Sequence, residues 1–265
     1  MAVLITDIDH KFLREAGKGA VPVGNRLSES VWGGIPVGAW GSGVAAGPKG
    51  SGIFHFDDFA PYDASAYDVV TDTGATVAPS VVGDTGFGVG LLKLAVDASG
   101  ADEQAGLAAN GAMIKFTAGK SSAFECRVAI DQTAETNFFA GVVEEGYAVD
   151  ELFHADANAR GVEDQVGFSV DVTSGAAIAD VVHGTTPTVH LEGAQTMVAD
   201  TFYQFGFNCN GTDIVFYVDG KQVGTALAVA SLPTAVQMTP VVEIKMNGAT
   251  AGNAYVDWIA CAHQN

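Results

Sequence analysis

The chain is dominated by strand-length runs in which large apolar residues alternate with polar ones. In "DIVFYVDGKQVG", Ile214, Phe216 and Val218 alternate, and Asp219-Gly220 supplies a positive-φ turn into a second strand. Comparable runs are "GIFHFDDF", "SAFECRVAID", "QVGFSVDV", "PVVEIKMNG" and "AYVDWIACA". A period of two sends successive side chains to opposite faces, so each run predicts a strand with at least one buried face.

The same runs predict which side chains point into a core. In "SAFECRVAID", one face would carry Phe124, Cys126, Val128 and Ile130, and the opposite face Glu125, Arg127 and Asp131. The segment "TNFFAGVV" is apolar on both faces, as expected of a central strand covered on both sides. About a dozen strands with almost no helix predict an all-β protein in which two antiparallel sheets pack face to face.

The first fifty residues follow a different pattern. "TDIDHKFLREAGKG" predicts a short helix that begins after Thr6 and ends at Gly17. Eight of the twenty residues from 33 to 52 are glycine, which is too little apolar bulk for a core. Trp32 and Trp40 would be costly to leave in water, so we expect them to dock on this chain's own body or on a neighbour. The chain therefore divides into an N-terminal arm, residues 1–52, and a sandwich domain, residues 53–265.

Charge and composition exclude several classes of partner. The net charge of −19 opposes binding to nucleic acid or to an anionic membrane surface. Residues 1–50 hold five of the twelve basic and four of the 31 acidic side chains, so nearly all the excess negative charge lies in the other 215 residues. No apolar run approaches the roughly 20 residues of a membrane-spanning helix. The three cysteines lie in apolar strand-like runs and predict buried free thiols in a reducing compartment.

The order of the strands carries a resemblance to a known family. "FHFDDF" is followed by "FECRVAIDQTAETNFFAGVVE", "DQVGFSVD", "YQFGFNCNGTDIVFYVDGKQVG" and "NAYVDWIACA". This series resembles the concanavalin A-like (laminin-G-like) jelly-roll domain, in particular the versions found as structural proteins of tailed-bacteriophage virions. The resemblance covers about residues 53–265 and leaves the arm outside it.

The resemblance implies a cement, or decoration, protein of a phage capsid. Such a protein would be made in the cytoplasm of the host bacterium, form a homotrimer and bind the major capsid protein on the capsid exterior. It would stabilise the shell through its arm and its intersubunit contacts, without a cofactor. The arm residues that we expect at these interfaces are Phe12, Arg14, Arg26, Trp32 and Trp40.

Two other functions follow from relatives of the same fold. A carbohydrate-binding protein on the virion exterior would adhere to host surface glycans, and would carry exposed aromatic residues on a concave sheet face. Related glucanases carry a Glu-x-Asp-x-x-Glu strand, but no glutamate here has an aspartate two positions later. We therefore expect no enzymatic activity and no catalytic residues.

Calcium-dependent lectins suggest one further kind of site. Oxygen-bearing side chains cluster in two places: Asp156, Asn158, Glu163 and Asp164, and Asn208, Asn210 and Asp213. Neither cluster has the spacing of a calcium loop, and the turn preferences of Asn and Asp explain both. The sequence therefore predicts no metal site.

Overall fold

The computed structural model describes residues 27–32, 52–80, 90–98, 102–153, 164–170, 178–184, 188–247 and 250–264. Among them the helical elements are α1 (Glu29–Trp32) and two 3₁₀ helices, Ala64–Ala66 and Val229–Ser231. The strands are β1 (Gly52–Asp57), β2 (Tyr67–Thr71), β3 (Thr76–Pro79), β4 (Leu92–Val96), β5 (Gln104–Ala109), β6 (Ser122–Ile130), β7 (Thr136–Glu144), β8 (Gln165–Val170), β9 (Ile178–Gly184), β10 (Thr188–Thr196), β11 (Tyr203–Cys209), β12 (Asp213–Val218), β13 (Lys221–Ala228), β14 (Met238–Met246) and β15 (Gly252–Gln264).

The strands form two antiparallel sheets. The eight-stranded sheet has the order β13-β12-β11-β6-β15-β4-β3, with β1 added to β15. The seven-stranded sheet has the order β10-β9-β8-β7-β14-β5-β2. Strand β15 is long enough to pair with β4 through its first half and with β1 through its second half, while β6 runs along its other edge. The all-β, two-sheet expectation is confirmed.

The main core lies between the inner faces of the two sheets. The four inward residues predicted for "SAFECRVAID" are all fully buried in it: Phe124, Cys126, Val128 and Ile130. The sheets meet through aromatic rings, for example Phe168 and Phe205, whose ring centroids are 4.8 Å apart. The β12–β13 hairpin turns at Asp219 and Gly220, with φ of 49° and 71°, because a two-residue hairpin turn of this kind needs positive φ.

Both sheets are also covered on part of their outer faces. On the seven-stranded sheet, Phe139 and Val143 of β7 are buried against Leu152 and Phe153 of the loop after β7. The expectation that "TNFFAGVV" is covered on both sides is therefore confirmed. On the eight-stranded sheet, residues 27–32 cover Ala123, Trp258 and Ala260. Each sheet thus has a second, smaller apolar cluster outside the main core.

The arm is described only at residues 27–32. Trp32 is 7% exposed and packs edge-on against Phe54, with ring centroids 5.8 Å apart. It therefore docks on this chain's own sandwich, one of the two surfaces expected for it. The helix predicted for residues 6–17 and the other arm residues expected at interfaces lie outside the described residues: Phe12, Arg14, Arg26 and Trp40.

The three cysteines are free and buried, as predicted. Burial raises the pKa of the Cys261 thiol to about 12, so this thiol stays protonated and unreactive at neutral pH. None of the helical elements in the described part of the chain has the length and hydrophobicity of a membrane-spanning helix.

Candidate functional site

Three loops at one end of the sandwich enclose an open groove. They are residues 115–119 between β5 and β6, residues 211–212 in the β11–β12 turn, and residues 228–234, which run from the last residue of β13 toward β14. The groove has a volume of about 950 Å³. We call it the loop groove. A space of this size is within the range of small-molecule sites.

Backbone hydrogen bonds hold the three loops against one another. The Gly119 amide donates to the Gly211 carbonyl at 2.8 Å, and the Val229 amide donates to the Thr212 carbonyl at 2.9 Å. Gly211 has a φ of 88°, and a Cβ placed on it would lie 2.7 Å from the Lys120 nitrogen. Only glycine fits both this φ and this close approach. The groove is therefore preformed by chain geometry rather than by side chains that must first be ordered.

The loop groove is lined by both apolar and polar residues. Phe116 and Val229 are buried apolar residues that line it, and the hydroxyl-bearing residues Thr117, Thr212 and Thr234 are exposed around it. Lys115 is the single charged residue among the described residues that line the groove. Apolar surface with a few polar groups at fixed positions is the usual character of a small-molecule site.

A second polar region lies on the outer face of the seven-stranded sheet, beneath the loop formed by residues 147–153. Lys245 of β14 is 1% exposed, and its ammonium group donates to the Asp150 carboxylate. The ammonium also donates to Gln104 Oε1 and to the Phe153 carbonyl, each at 3.4 Å. A buried lysine thus ties the covering loop to the sheet.

Glu243 lies two residues before Lys245 on the same face and is fully buried. Neither of its carboxyl oxygens has a hydrogen-bond partner among the described residues. Burial raises the pKa of this carboxyl to about 8, against the opposing influence of the Lys245 charge and the nearby Tyr147 hydroxyl. The absence of a side chain at Gly106 leaves room for the Tyr147 hydroxyl and the Glu243 carboxyl. A Cβ at this position would lie 2.5 Å from the Tyr147 hydroxyl and 3.0 Å from Glu243 Oε2.

Sequence reasoning missed this polar region. The signal was present in "PVVEIKM", where Glu243 and Lys245 are the charged residues at positions i and i+2 of an otherwise apolar strand. Alternation places both on one face. The burial of the two side chains could not be predicted, because the loop that covers them lies about 95 residues earlier in the chain.

The expected lectin-like features have different outcomes. Every described aromatic side chain is buried or half-buried, so the expected exposed aromatic residues are not found in that part of the chain. Asn210 accepts hydrogen bonds from the Thr212 and Asp213 amides through Oδ1, so the turn explains this side chain, as predicted. The described residues contain no cluster of three or more metal-binding side chains. Asp156, Asn158 and Glu163 lie outside those residues.

No family model matches the chain, and no curated protein matches it in sequence. Among solved structures, peanut lectin with a nine-residue peptide superposes with a TM-score of 0.54 at 10% identity, over 80% of this chain and 97% of that one. The potassium-bound carbohydrate recognition domain of Emp46p gives a TM-score of 0.51 at 8% identity, over 75% and 88%. These likenesses show the fold, a concanavalin A/lectin-like jelly roll, and at such identities they show the fold alone.

An endo-acting O-glycanase of human gut microbiota, from work on the initiation of mucin breakdown, gives a TM-score of 0.50 at 14% identity, over 78% of this chain and 97% of that one. The fold is thus shared by a lectin and by a glycan-cleaving enzyme. Shared architecture at this level does not assign a reaction, because function depends on the site rather than on the fold.

Proposed function

We propose that this chain is a carbohydrate-binding protein that holds its ligand in the loop groove. The observation that carries the proposal is the lining of that groove, in which the three exposed threonines surround a partly apolar surface. A sugar ring offers the matching chemistry, since its C–H faces are apolar and its hydroxyls both donate and accept hydrogen bonds. The lectin-like fold supports the same proposal.

The geometry of the loops suits a weak but selective site. Because the loops are already hydrogen-bonded to one another, little conformational entropy is lost when a ligand enters. The groove is open, so a single sugar would leave part of its surface in water. We expect a dissociation constant on the order of 1 mM for a monosaccharide, or about −4 kcal/mol, with repeated contacts along an oligosaccharide adding affinity.

Lys115, the one charged residue among the described residues of the lining, gives the site a preference. A sugar that bears a carboxylate or a sulfate can pair with this ammonium group, whereas its neutral analogue cannot. We expect the acidic sugar to bind more tightly at low salt. The preference should shrink at high salt, because ions screen a half-exposed charge pair.

The test is a glycan array followed by calorimetry on the full chain. The triple variant T117V/T212V/T234V removes the three hydroxyls and nearly keeps side-chain shape, and it should lose at least tenfold in affinity. The control is Thr76→Val, since Thr76 is exposed on β3, outside the groove. If the wild type binds no glycan at millimolar concentration, or if the triple variant binds as well as the wild type, the proposal is wrong.

A second proposal is the phage capsid decoration protein that the sequence resemblance implies. One structural observation favours it: residues 27–32 of the N-terminal arm lie along the surface of a sandwich and are anchored there by Trp32. In this proposal the arm binds capsid subunits by the same kind of contact. Many copies on one shell would bind with high avidity even if each contact is weak.

Co-sedimentation of the full chain with undecorated capsid shells tests this second proposal. Saturable binding that Trp32→Ala or Trp40→Ala weakens would support it. The absence of any binding, together with a positive glycan array, would leave carbohydrate binding as the function.

A further inference from the structure

Residues 27–32 are held on the eight-stranded sheet in the way that a short peptide is held by a receptor. Three hydrogen bonds converge on one carboxylate, Glu125 of β6. The Ser28 amide donates at 3.0 Å, the Ser28 hydroxyl at 2.5 Å, and the Trp32 indole at 2.7 Å. Glu125 is 1% exposed, so these bonds are shielded from water.

Further contacts bind Ser30 and Val31 of the segment. The Asn208 side chain donates to the Val31 carbonyl, and the Ser30 hydroxyl donates to the Gly220 carbonyl at 2.6 Å. Val31 is fully buried. It lies over Gly206, where a Cβ would come within 3.1 Å of Val31 Cγ2. The surface therefore recognises a serine, an apolar residue three positions later, and a tryptophan next to it.

The receptor surface belongs to the sandwich and not to the segment. Its members come from four elements: Phe54 on β1, Glu125 on β6, Gly206 and Asn208 on β11, and Gly220 in the β12–β13 turn. We call this surface the arm groove. The arm groove is built by strands that pair in the eight-stranded sheet, so it should persist when the segment leaves.

The chain between the segment and the sandwich is longer than this docking needs. Residues 33–51 provide 19 residues between Trp32 and β1. The rings of Trp32 and Phe54 are in contact, with centroids 5.8 Å apart, so the segment docks close to the strand at which the sandwich begins. Nineteen residues can span up to about 60 Å, which is enough to reach the same groove on a neighbouring molecule.

We propose that the arm groove accepts residues 27–32 from a second copy of this chain, so that copies join by exchanging the segment. Docking within one chain and docking between chains make the same contacts. The ratio of the two forms depends on the protein concentration and on the length of the tether, residues 33–51. The inference is independent of the carbohydrate proposal, because the arm groove and the loop groove share no residues.

The test uses two full-length variants that are defective in opposite roles. Trp32→Ala weakens the segment but leaves the arm groove intact. Glu125→Ala damages the groove but leaves the segment intact. Mixed in equal amounts and given different affinity tags, the two should form a mixed dimer in sedimentation, while each variant alone stays a monomer. In the Trp32→Ala protein the tethered segment, whose effective concentration is in the millimolar range, no longer competes for the arm groove. We therefore expect the segment of the Glu125→Ala protein to bind this groove with a dissociation constant well below about 1 mM. Failure of the mixture to associate at about 100 μM would overturn the proposal.

A peptide assay provides the second measurement. A labelled peptide of residues 25–34 should bind the Trp32→Ala protein at least tenfold more tightly than it binds the wild type, whose groove is occupied. A scrambled peptide of the same composition is the control. Should Trp32→Ala fold poorly, Ser28→Ala is the milder replacement, since it removes one hydroxyl from the segment. Equal peptide binding by the wild type, by the freed-groove variant and by the Glu125→Ala/Trp32→Ala double variant would contradict the inference.

Discussion

The two sheets carry covered outer faces, and each cover lies over a buried glutamate. On the eight-stranded sheet, residues 27–32 donate three hydrogen bonds directly to Glu125. On the seven-stranded sheet, residues 147–153 bind the neighbouring Lys245, and Glu243 is left without a hydrogen bond among the described residues. The first cover donates three hydrogen bonds to its carboxylate, whereas the second bonds to the neighbouring lysine and places the Tyr147 hydroxyl near Glu243.

The pKa values of the two glutamates express this difference. Burial raises the pKa of Glu125 to about 7, while the hydrogen bonds from Ser28 and Trp32 hold it down. Burial raises the pKa of Glu243 further, to about 8, although a lysine lies beside it. At both sites burial is the largest influence, because each pKa lies above the usual 4.5 in spite of the groups that lower it. Four substitutions test whether the two covered faces differ in this way.

The largest loss of stability on substitution is expected from Lys245→Met. Lys245 holds the covering loop and lies beside a buried carboxyl. Its loss leaves the Asp150 carboxylate without this ion pair and leaves Gln104 Oε1 with the Asp150 amide as its donor. We expect a loss of about 3 kcal/mol in the free energy of unfolding, measured by urea denaturation. This is the low end of the range for breaking a buried ion pair, because the Asp150 side chain is 39% exposed and water can solvate it. The matched control is Lys221→Met at an exposed position of β13, which should change stability by less than about 0.5 kcal/mol. A small effect at Lys245 would mean that the loop is held mainly by its apolar contacts and by the hydrogen bond from the Asp150 amide to Gln104.

Glu243→Gln should change how stability depends on pH. The folded-state pKa of about 8 lies above the usual 4.5, so the contribution of this group is fully present below about pH 4.5 and is lost as the pH rises through 8. The wild type should lose about 4 kcal/mol across this window from Glu243, and the variant should lack that part of the slope. Denaturant midpoints at pH 5, 6.5 and 8 would measure it. Parallel curves for the two proteins would contradict a raised pKa at Glu243.

Glu125→Gln should have a smaller and more local effect. The glutamine keeps one carbonyl oxygen but turns an amide donor toward Ser28 and Trp32, which are donors themselves. We expect a cost of about 1–3 kcal/mol to the docking of residues 27–32. Hydrogen exchange at the Trp32 indole would report it, while the amides of β6 and β11 serve as an internal control. Exchange that is unchanged at Trp32 would show that apolar contacts dominate the docking.

The smallest effect is expected from Asp257→Asn. Asp257 accepts from Arg127 at 2.5 Å, on the same sheet as Glu125, but the two side chains are 19% and 35% exposed. Because water screens the pair, we expect a loss of about 0–1 kcal/mol, measured by thermal denaturation. A cost as large as that of Lys245→Met would show that the half-exposed Arg127–Asp257 pair contributes as much stability as the buried Lys245 ammonium.

The two faces also show what the sequence could predict. Alternation correctly placed Glu125 and Arg127 opposite Phe124 and Cys126, because strand geometry is local. It did not predict that Glu125 would be buried, since the segment that covers it lies about 95 residues earlier. The docking of Trp32 on its own sandwich was left open for the same reason: composition indicates that a tryptophan needs a surface, but not whose surface. The loop groove was not predicted, because its loops meet only when the strands that they join have paired.

Strand β15 has a consequence for how the molecule is made. It is the last strand in the chain order, yet it pairs with β1, the first, and with β4 and β6. During synthesis, the edges of β1, β4 and β6 that pair with β15 therefore stay open until residues 252–264 have been made. Such long-range pairing slows folding and exposes unpaired edges in the meantime. We expect the nascent chain to depend on chaperones until residues 252–264 are available.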